Sequence, residues 1–382
     1  MKAPWHGPAK RGGLLALLAA TLFGVSTPMV QRFGAGLGAF TTAALLYAGA
    51  AVAGALSRRR IEREARVVRS DLPRLLAMAG FGAVIGPVAL AWGLQHTSGT
   101  SASLMLTLEA LFTAVLAWRL YQETMDWRVW TAMALLLAGG MVLVFDQGRA
   151  GGAQLWGLLA VLLATAAWGV DNTLSRPLAQ RDPGQVVMAK AVLGATATTV
   201  MALGLGEPQP PVAAALALLA IGASGYGVSL RFYLLAQRAF GAARTGSVFA
   251  FAPFIGAVVA VALGDRSASG TMAVGSALML AGVVLHLAES HGHQHAHEAL
   301  EHEHAHRHDD AHHDHVHDPM PVGEHSHRHH HQPLRHAHAH VPDAHHAHTH
   351  WGHVGRSVAL IAAGLLRGLR RWPCRAASRC RS

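Results

Sequence analysis

Ten long apolar runs constrain this chain more than any other feature. They cover about 13–30, 35–56, 75–95, 98–118, 128–145, 154–174, 184–205, 212–236, 241–263 and 271–288. A run of roughly 20 apolar residues is long enough to cross a bilayer as a helix, and a helix pairs its own backbone polar groups where no water is present. The gaps between the runs are short, so neighbouring helices must be antiparallel. The sequence therefore predicts an all-α integral membrane protein with ten transmembrane helices.

Basic residues at the ends of the runs predict the orientation. With a cytoplasmic N-terminus, sixteen Lys and Arg residues fall on inner loops and three, Arg32, Arg149 and Arg266, on outer loops. An excess of Lys and Arg marks cytoplasmic loops, so we expect a multi-pass protein of the cytoplasmic membrane with both termini cytoplasmic. We therefore interpret the net charge of +10 as a consequence of membrane orientation. The expected partner is the lipid bilayer, and no nucleic-acid partner is expected.

The two parts of the membrane region are similar to each other. Residues 97–144 align with 240–287 at a constant offset of 143 and without a gap, so that Leu137-Ala138-Gly139 falls on Leu280-Ala281-Gly282. An offset of five helices reverses the direction of the chain in the membrane. Inverted repeats of this kind are typical of secondary transporters, whose substrate site lies near the midplane between the repeats.

Several motifs resemble the EamA-type family of the drug/metabolite transporter superfamily. They are GPVALAWGL at 86–94, TLEALFTA at 107–114, AARTG at 242–246 and APFIGA at 252–257. WGVDN at 168–172, with Asp182-Pro183 and Lys190, is similar to a branch of that family with histidine-rich C-terminal tails. The resemblance implies two inverted five-helix halves and transport of small solutes, often export, without naming a substrate. Gln122 departs from the family, which often has glycine before the glutamate.

These observations divide the chain into five parts. We predict a cytoplasmic N-terminus at 1–12, one five-helix repeat at 13–145 and a second at 154–288. A histidine-rich tail without fixed structure follows at 289–353, because few hydrophobic residues are present to form a core there. The remaining 354–382 is basic, and its apolar stretch at 358–366 is too short to span a bilayer and suits an amphipathic anchor.

Glu109 is the ionisable residue that we expect deepest in the membrane. It lies about eleven residues from either end of its run, which corresponds to roughly 16 Å of helix. Ionisable groups at such depth are costly and are usually functional. We therefore predict that Glu109 contacts the substrate or couples transport to protons, the alternative being a protonated side chain hydrogen-bonded between helices.

A second group of polar residues is expected nearer the cytoplasmic side. Asp171, Asn172, Lys190 and Arg231 lie within reach of the inner interface. They predict an inner gate or a site for an anionic substrate, and a structural ion-pair cluster is the alternative. Prolines in the apolar runs free a backbone carbonyl and kink the helix, and such carbonyls are tolerated where they line a cavity. Pro87 and Pro253 are accordingly included among the candidate site residues.

The tail is the candidate metal-binding region. Of the 28 histidines, 25 fall between His291 and His353, and neutral imidazoles bind zinc, nickel, cobalt and copper. We predict exchangeable, heterogeneous sites, and a plain solvated or pH-buffering tail stays open. The candidate ligands in His-x-His runs are His291, His293, His295, His297, His302, His304, His306, His308, His313, His315, His317, His336, His338 and His340.

Three functions stay open at this point. The first is a secondary transporter that exports a small organic metabolite. It requires no cofactor, and a homodimer is compatible with this function. The second is a divalent-metal transporter or metal-responsive protein whose tail captures the ion, and the third is a non-transporting, membrane-tethered metal store. An enzyme is not expected, because the sequence shows no nucleophile–base pair, phosphate-binding loop or nucleotide motif.

Overall fold

The architecture is taken from a computed structural model of the chain. It describes residues 7–57, 65–121, 125, 127–240, 242–267, 269–287, 291–296, 300–306, 325–331 and 335–340. The predicted amphipathic segment at 354–382 lies outside the described residues. From residue 7 to residue 287 the described chain is helical, apart from its turns and one bridge between Ala65 and Arg181.

Ten helical spans follow one another in the described membrane region, as predicted. By length and composition eight of them could cross a membrane, and Ala252–Ala262 and Gly270–His286 are shorter apolar helices. Numbered 1 to 10, the spans are α1 (Gly7–Phe33), α2 (Ala39–Leu56), α3 (Leu72–Ala79) with α4 (Gly86–Leu94), α5 (Gly99–Met105) with α6 (Leu108–Tyr121), α7 (Trp127–Ala150), α8 (Gly152–Ser175), α9 (Pro183–Gly204), α10 (Val212–Ile221) with α11 (Ser229–Phe240), α12 (Ala242–Phe249) with α13 (Ala252–Ala262), and α14 (Gly270–Leu287).

The packing of the spans follows the internal repeat. Span 2 packs on span 7, span 4 on span 9 and span 5 on span 10. Span 1 packs on span 8, and span 6 packs on span 3. Spans 1 and 3 of the first half are equivalent to spans 6 and 8 of the second, so these two contacts are the same contact made once by each half. This is the arrangement that two inverted five-helix halves require. We call the end of the bundle that holds the 34–38, 95–98, 205–211 and 263–269 turns the outer end, after its predicted orientation.

Spans 3 and 8 each contain a π-helical segment at the same point. Gly80–Ile85 joins α3 to α4, and Gly222–Val228 joins α10 to α11. Gly82 and Gly225 within them are related by the offset of the repeat. Segments of π-helix within α-helices frequently occur at functional sites. Pro87 is the second residue of α4, directly after the first segment, and Pro253 is the second residue of α13, which follows a turn. The predicted interruptions are therefore present.

The described parts of the tail are paired strands. The structure has β1 (His291–Ala296), β2 (Leu300–His306), β3 (His325–His331) and β4 (Arg335–His340), with β1 antiparallel to β4 and β2 antiparallel to β3. These strands cover only part of 289–353, and the tail without fixed structure stays a prediction. The His-x-His alternation has the period of a β-strand, and antiparallel pairing joins backbone N–H and carbonyl groups of the two strands.

Candidate functional site

A small cavity lies where the two halves meet. Its lining comes from spans 1, 2 and 4 of the first half and from spans 6, 7, 8 and 9 of the second. Most of the lining is aromatic or apolar, and a few polar groups converge on it, as is typical of small-molecule sites. The lining residues are Phe23, Tyr47, Glu109, Trp168, Asp171, Asn172, Lys190, Gly225, Tyr226, Ser229, Leu230, Tyr233 and Phe249.

Glu109 is buried at a break in span 4. The break consists of a turn at residues 106–107, and α6 restarts at Leu108. Glu109 therefore lies in the first turn of α6, where the positive end of the helix dipole favours an acidic side chain. Its Oε1 accepts a hydrogen bond from the side-chain amide of Asn172 in span 6, and only 9% of the residue is exposed. The acid is thus held between the two halves.

Lys190 and Asp171 form a buried ion pair beside Glu109. The Lys190 Nζ donates to Asp171 Oδ2, and the two side chains are 3% and 5% exposed. The other carboxylate oxygen, Asp171 Oδ1, is buried without a hydrogen-bond partner among the described residues. A buried charge is tolerated when it is paired, and Asp171 is also one of the residues that line the cavity.

The π-helical segment of span 3 organises the aromatic wall. The Gly82 carbonyl accepts hydrogen bonds from the Tyr47 hydroxyl and from Trp168 Nε1, the latter at 3.0 Å. A Cβ at Gly82 would overlap the Asp171 carboxylate, so glycine permits the close approach. Phe23 meets Trp168 edge-on with ring centroids 5.5 Å apart, a favourable geometry for aromatic pairs. The wall is therefore fixed by packing and by hydrogen bonds.

The cavity brings together four of the predicted site residues. Glu109, Asp171, Asn172 and Lys190 all line it, although we predicted the last three to lie shallower than Glu109. Position along a helix does not show how neighbouring spans are offset against one another. Arg231, Pro87 and Pro253 are not among the lining residues.

Sequence reasoning missed most of the aromatic lining. Tyr47, Tyr226 and Tyr233 are buried in spans 2 and 8, where an apolar run makes a tyrosine inconspicuous. One signal was available, because Tyr47 and Lys190 are related by the offset of the repeat. The repeat alignment, extended to span 2, would have placed Tyr47 at the position equivalent to a candidate site residue. Trp168 lines the cavity, while Trp92 is 41% exposed and stacks on His96.

The candidate metal ligands are arranged by strand register. In the sheet of β1 and β4, His291 lies opposite His340, His293 opposite His338 and His295 opposite His336. In the sheet of β2 and β3, the facing positions are His302 with His329, His304 with His327 and His306 with His325. Among the residues whose side chains the structure describes, no three His, Cys, Asp or Glu are grouped so that they could hold a metal ion. The candidates outside the described residues are His297, His308, His313, His315 and His317.

Comparisons with known proteins agree with the two-half arrangement. The model of the EamA-like transporter family matches twice, at residues 10–145 and 155–288. An uncharacterized transporter of Methanothermobacter thermautotrophicus is 27% identical over 59% of this chain and 68% of its own length. A probable terminal-alkyne amino-acid exporter of Streptantibioticus cattleyicolor is 28% identical over 56% of this chain and 73% of its own. A solved crystal structure that covers 72% of this chain and 94% of its own chain has 20% sequence identity and a TM-score of 0.53, a likeness of fold.

Proposed function

The chain belongs to the EamA-like transporter family, and we propose that it is a secondary transporter that exports a small organic metabolite across the cytoplasmic membrane. The observation that carries this proposal is the cavity lined by both halves. A site between inverted repeats can be exposed to either side when one half tilts against the other. The name of the Streptantibioticus relative, an exporter, supports export as the direction.

The chemistry of the cavity favours an organic solute over a bare metal ion. Aromatic rings of Phe23, Tyr47, Trp168 and Tyr226 form much of its wall, and such rings bind organic groups through apolar contact. Bare divalent ions need several oxygen, nitrogen or sulfur ligands. The cavity offers two carboxylates, and Lys190 already pairs with one of them. We therefore assign Glu109 and Asn172 to polar contact with the solute, and the aromatic wall to its apolar part.

A metabolite and metal accumulation profile tests this proposal. A deletion strain would be complemented with the full chain, with Glu109→Gln, or with Glu301→Gln, which makes the same change in strand β2 of the tail. We expect at least one organic solute to accumulate in the deletion strain and to be cleared by the full chain and by Glu301→Gln. Glu109→Gln should clear it about tenfold more slowly, which corresponds to the loss of one buried hydrogen bond to the solute. Equal clearance by Glu109→Gln would show that the Glu109 carboxyl group does not contribute to transport of the solute.

We also propose that the histidine tail binds divalent zinc, nickel, cobalt or copper. The supporting observation is the register, which sets six pairs of histidines at facing positions. Alternate residues of a strand lie on one face, so His291, His293 and His295 share a face of their sheet. Two-stranded sheets are marginal in water, and an ion shared between the strands would stabilise the pairing.

Metal stoichiometry of the purified full chain tests the register. Calorimetric titration with zinc would compare His293→Ala/His338→Ala, a facing pair, with His293→Ala/His327→Ala, which removes one histidine from each sheet. We expect the facing pair to lose one ion and the split pair to lose two, because two facing histidines serve the same ion. Equal losses from both variants would show heterogeneous sites independent of register. Undiminished binding by a chain stopped after Glu289 would exclude the tail altogether.

A further inference from the structure

Two carboxylates of the second half bind helix ends of the first half at the outer end. Glu207 follows α9, and its carboxylate accepts hydrogen bonds from Phe40 N at 3.2 Å, Thr41 N at 2.7 Å and Thr41 Oγ1 at 2.7 Å. These donors belong to the first turn of α2, and a Cβ at Gly38 would overlap the Glu207 carboxylate. The position of the acid therefore depends on glycine there.

Asp265 makes the equivalent contact with span 4. It follows α13, and its Oδ2 accepts hydrogen bonds from Thr100 N at 2.9 Å and Thr100 Oγ1 at 2.8 Å. Its Oδ1 accepts from Ser267 N at 2.9 Å. Burial acts to raise the pKa of Asp265, but the hydrogen bonds from Ser267 and Thr100 together outweigh it, and the pKa is lowered. Asp265 is therefore charged at physiological pH, and a negative charge is favoured at a helix N-terminus.

Asp265 also lines a pocket at the outer end. This outer pocket is lined by Pro28, Gln31, Arg32, Ser98, Gly99, Ala260, Leu263 and Asp265. On α1, Pro28 lines the outer pocket and Phe23 lines the central cavity. Ser26 lies between them and is 3% exposed, so the two spaces are separated by little more than one turn of helix.

At the inner end, which is the end of the bundle opposite the outer end, different residues connect the two halves. Arg181 Nε donates to Asp71 Oδ2 at 3.0 Å, and Asp182 N donates to the Ala65 carbonyl at 2.8 Å. Both ends therefore carry polar contacts between the halves, and the central cavity lies between them. In a carrier that exposes its site to one side at a time, the contacts at one end must open while those at the other end persist.

We propose that Glu207 and Asp265 are positioning residues of an outer gate, which hold the outer end closed and release their helix ends when the carrier opens outward. This proposal rests on the transport function proposed above. Both acids lie in turns and are only partly buried, so water can replace their partners as the gate opens. Their contacts with the opposite half that are described above are all with the first turn of one helix, which allows release without unfolding a span.

Labelling of a cysteine behind the gate tests the proposal. Ser26→Cys would be introduced into the full chain with Cys374→Ser and Cys380→Ser, and an impermeant maleimide would be added outside intact cells. We expect Glu207→Gln and Asp265→Asn each to speed labelling about tenfold, because losing a hydrogen bond to a charged group shifts a two-state equilibrium by about this factor. Asp71→Asn, the matched change at the inner end, should not speed it.

Milder variants keep the test decisive if the acid variants fold poorly. Thr41→Val and Thr100→Val each remove one hydroxyl donor, while Thr41→Ser and Thr100→Ser keep it, so only the valine variants should label faster. Unchanged labelling in folded acid and valine variants would overturn the gate. Labelling does not require solute flux. Faster labelling in a chain that moves no solute would therefore refute the transport function alone, and unchanged labelling in an active exporter would refute the gate alone.

Discussion

The most unusual residues of this chain are the ionisable side chains buried among its apolar spans. Lys190 and Asp171 neutralise each other, whereas Glu109 relies on the start of α6 and on Asn172. Burying an unpaired charge is far more costly than burying a pair. The position of Glu109 in the middle of an apolar run made it predictable as a site residue. The pairing of Lys190 with Asp171 was not, because only tertiary packing brings the two side chains together.

Replacing one partner of this pair should destabilise the protein more than replacing both. Lys190→Met leaves the Asp171 carboxylate buried without a counter-charge, and we expect a loss of about 3–5 kcal/mol. Adding Asp171→Asn removes that charge and should restore most of the loss. Thermal denaturation of the purified variants in detergent would compare them. A double variant as unstable as the single one would show that the pair contributes through shape and not through charge.

At the scale of elements, the two π-helical segments begin at glycines in different surroundings. Gly222 begins the segment of span 8, and a Cβ there would overlap the Leu46 carbonyl of span 2. Gly80 begins the segment of span 3, and nothing lies within 4 Å of its added Cβ. The pattern of apolar residues predicts that these spans exist. It does not predict the π segments, because an extra residue per turn leaves hydropathy unchanged.

The two glycines offer a matched pair of substitutions. Gly222→Ala should cost about 1–3 kcal/mol, the usual range for forcing extra atoms into a packed interior. Gly80→Ala should be neutral or slightly stabilising, because alanine is the better helix former. Melting temperatures in detergent would check both. Equal effects of the two substitutions would show that spans 2 and 8 are not in close contact at Gly222.

At the scale of the whole molecule, the halves share a backbone plan and differ in their charges. The offset of the repeat relates Tyr47 to Lys190, and it relates Glu109 to Ala252. The repeat therefore gives the two halves equivalent spans, while the polar groups of the cavity are distributed unequally. The ten spans and their inverted order were predictable from hydropathy, loop charges and the offset. The cavity was not, because it depends on side chains from seven spans that only tertiary packing brings together.

The central claim is that a solute crosses through the cavity at Glu109. The direct measurement is efflux of the solute identified by the accumulation profile, from proteoliposomes that contain the full chain, Glu109→Gln or Glu301→Gln. We predict saturable efflux by the full chain and by Glu301→Gln, and efflux about tenfold slower with Glu109→Gln, as expected for one lost buried hydrogen bond to the solute. Efflux that does not saturate, or that is equal in all three, would contradict the account.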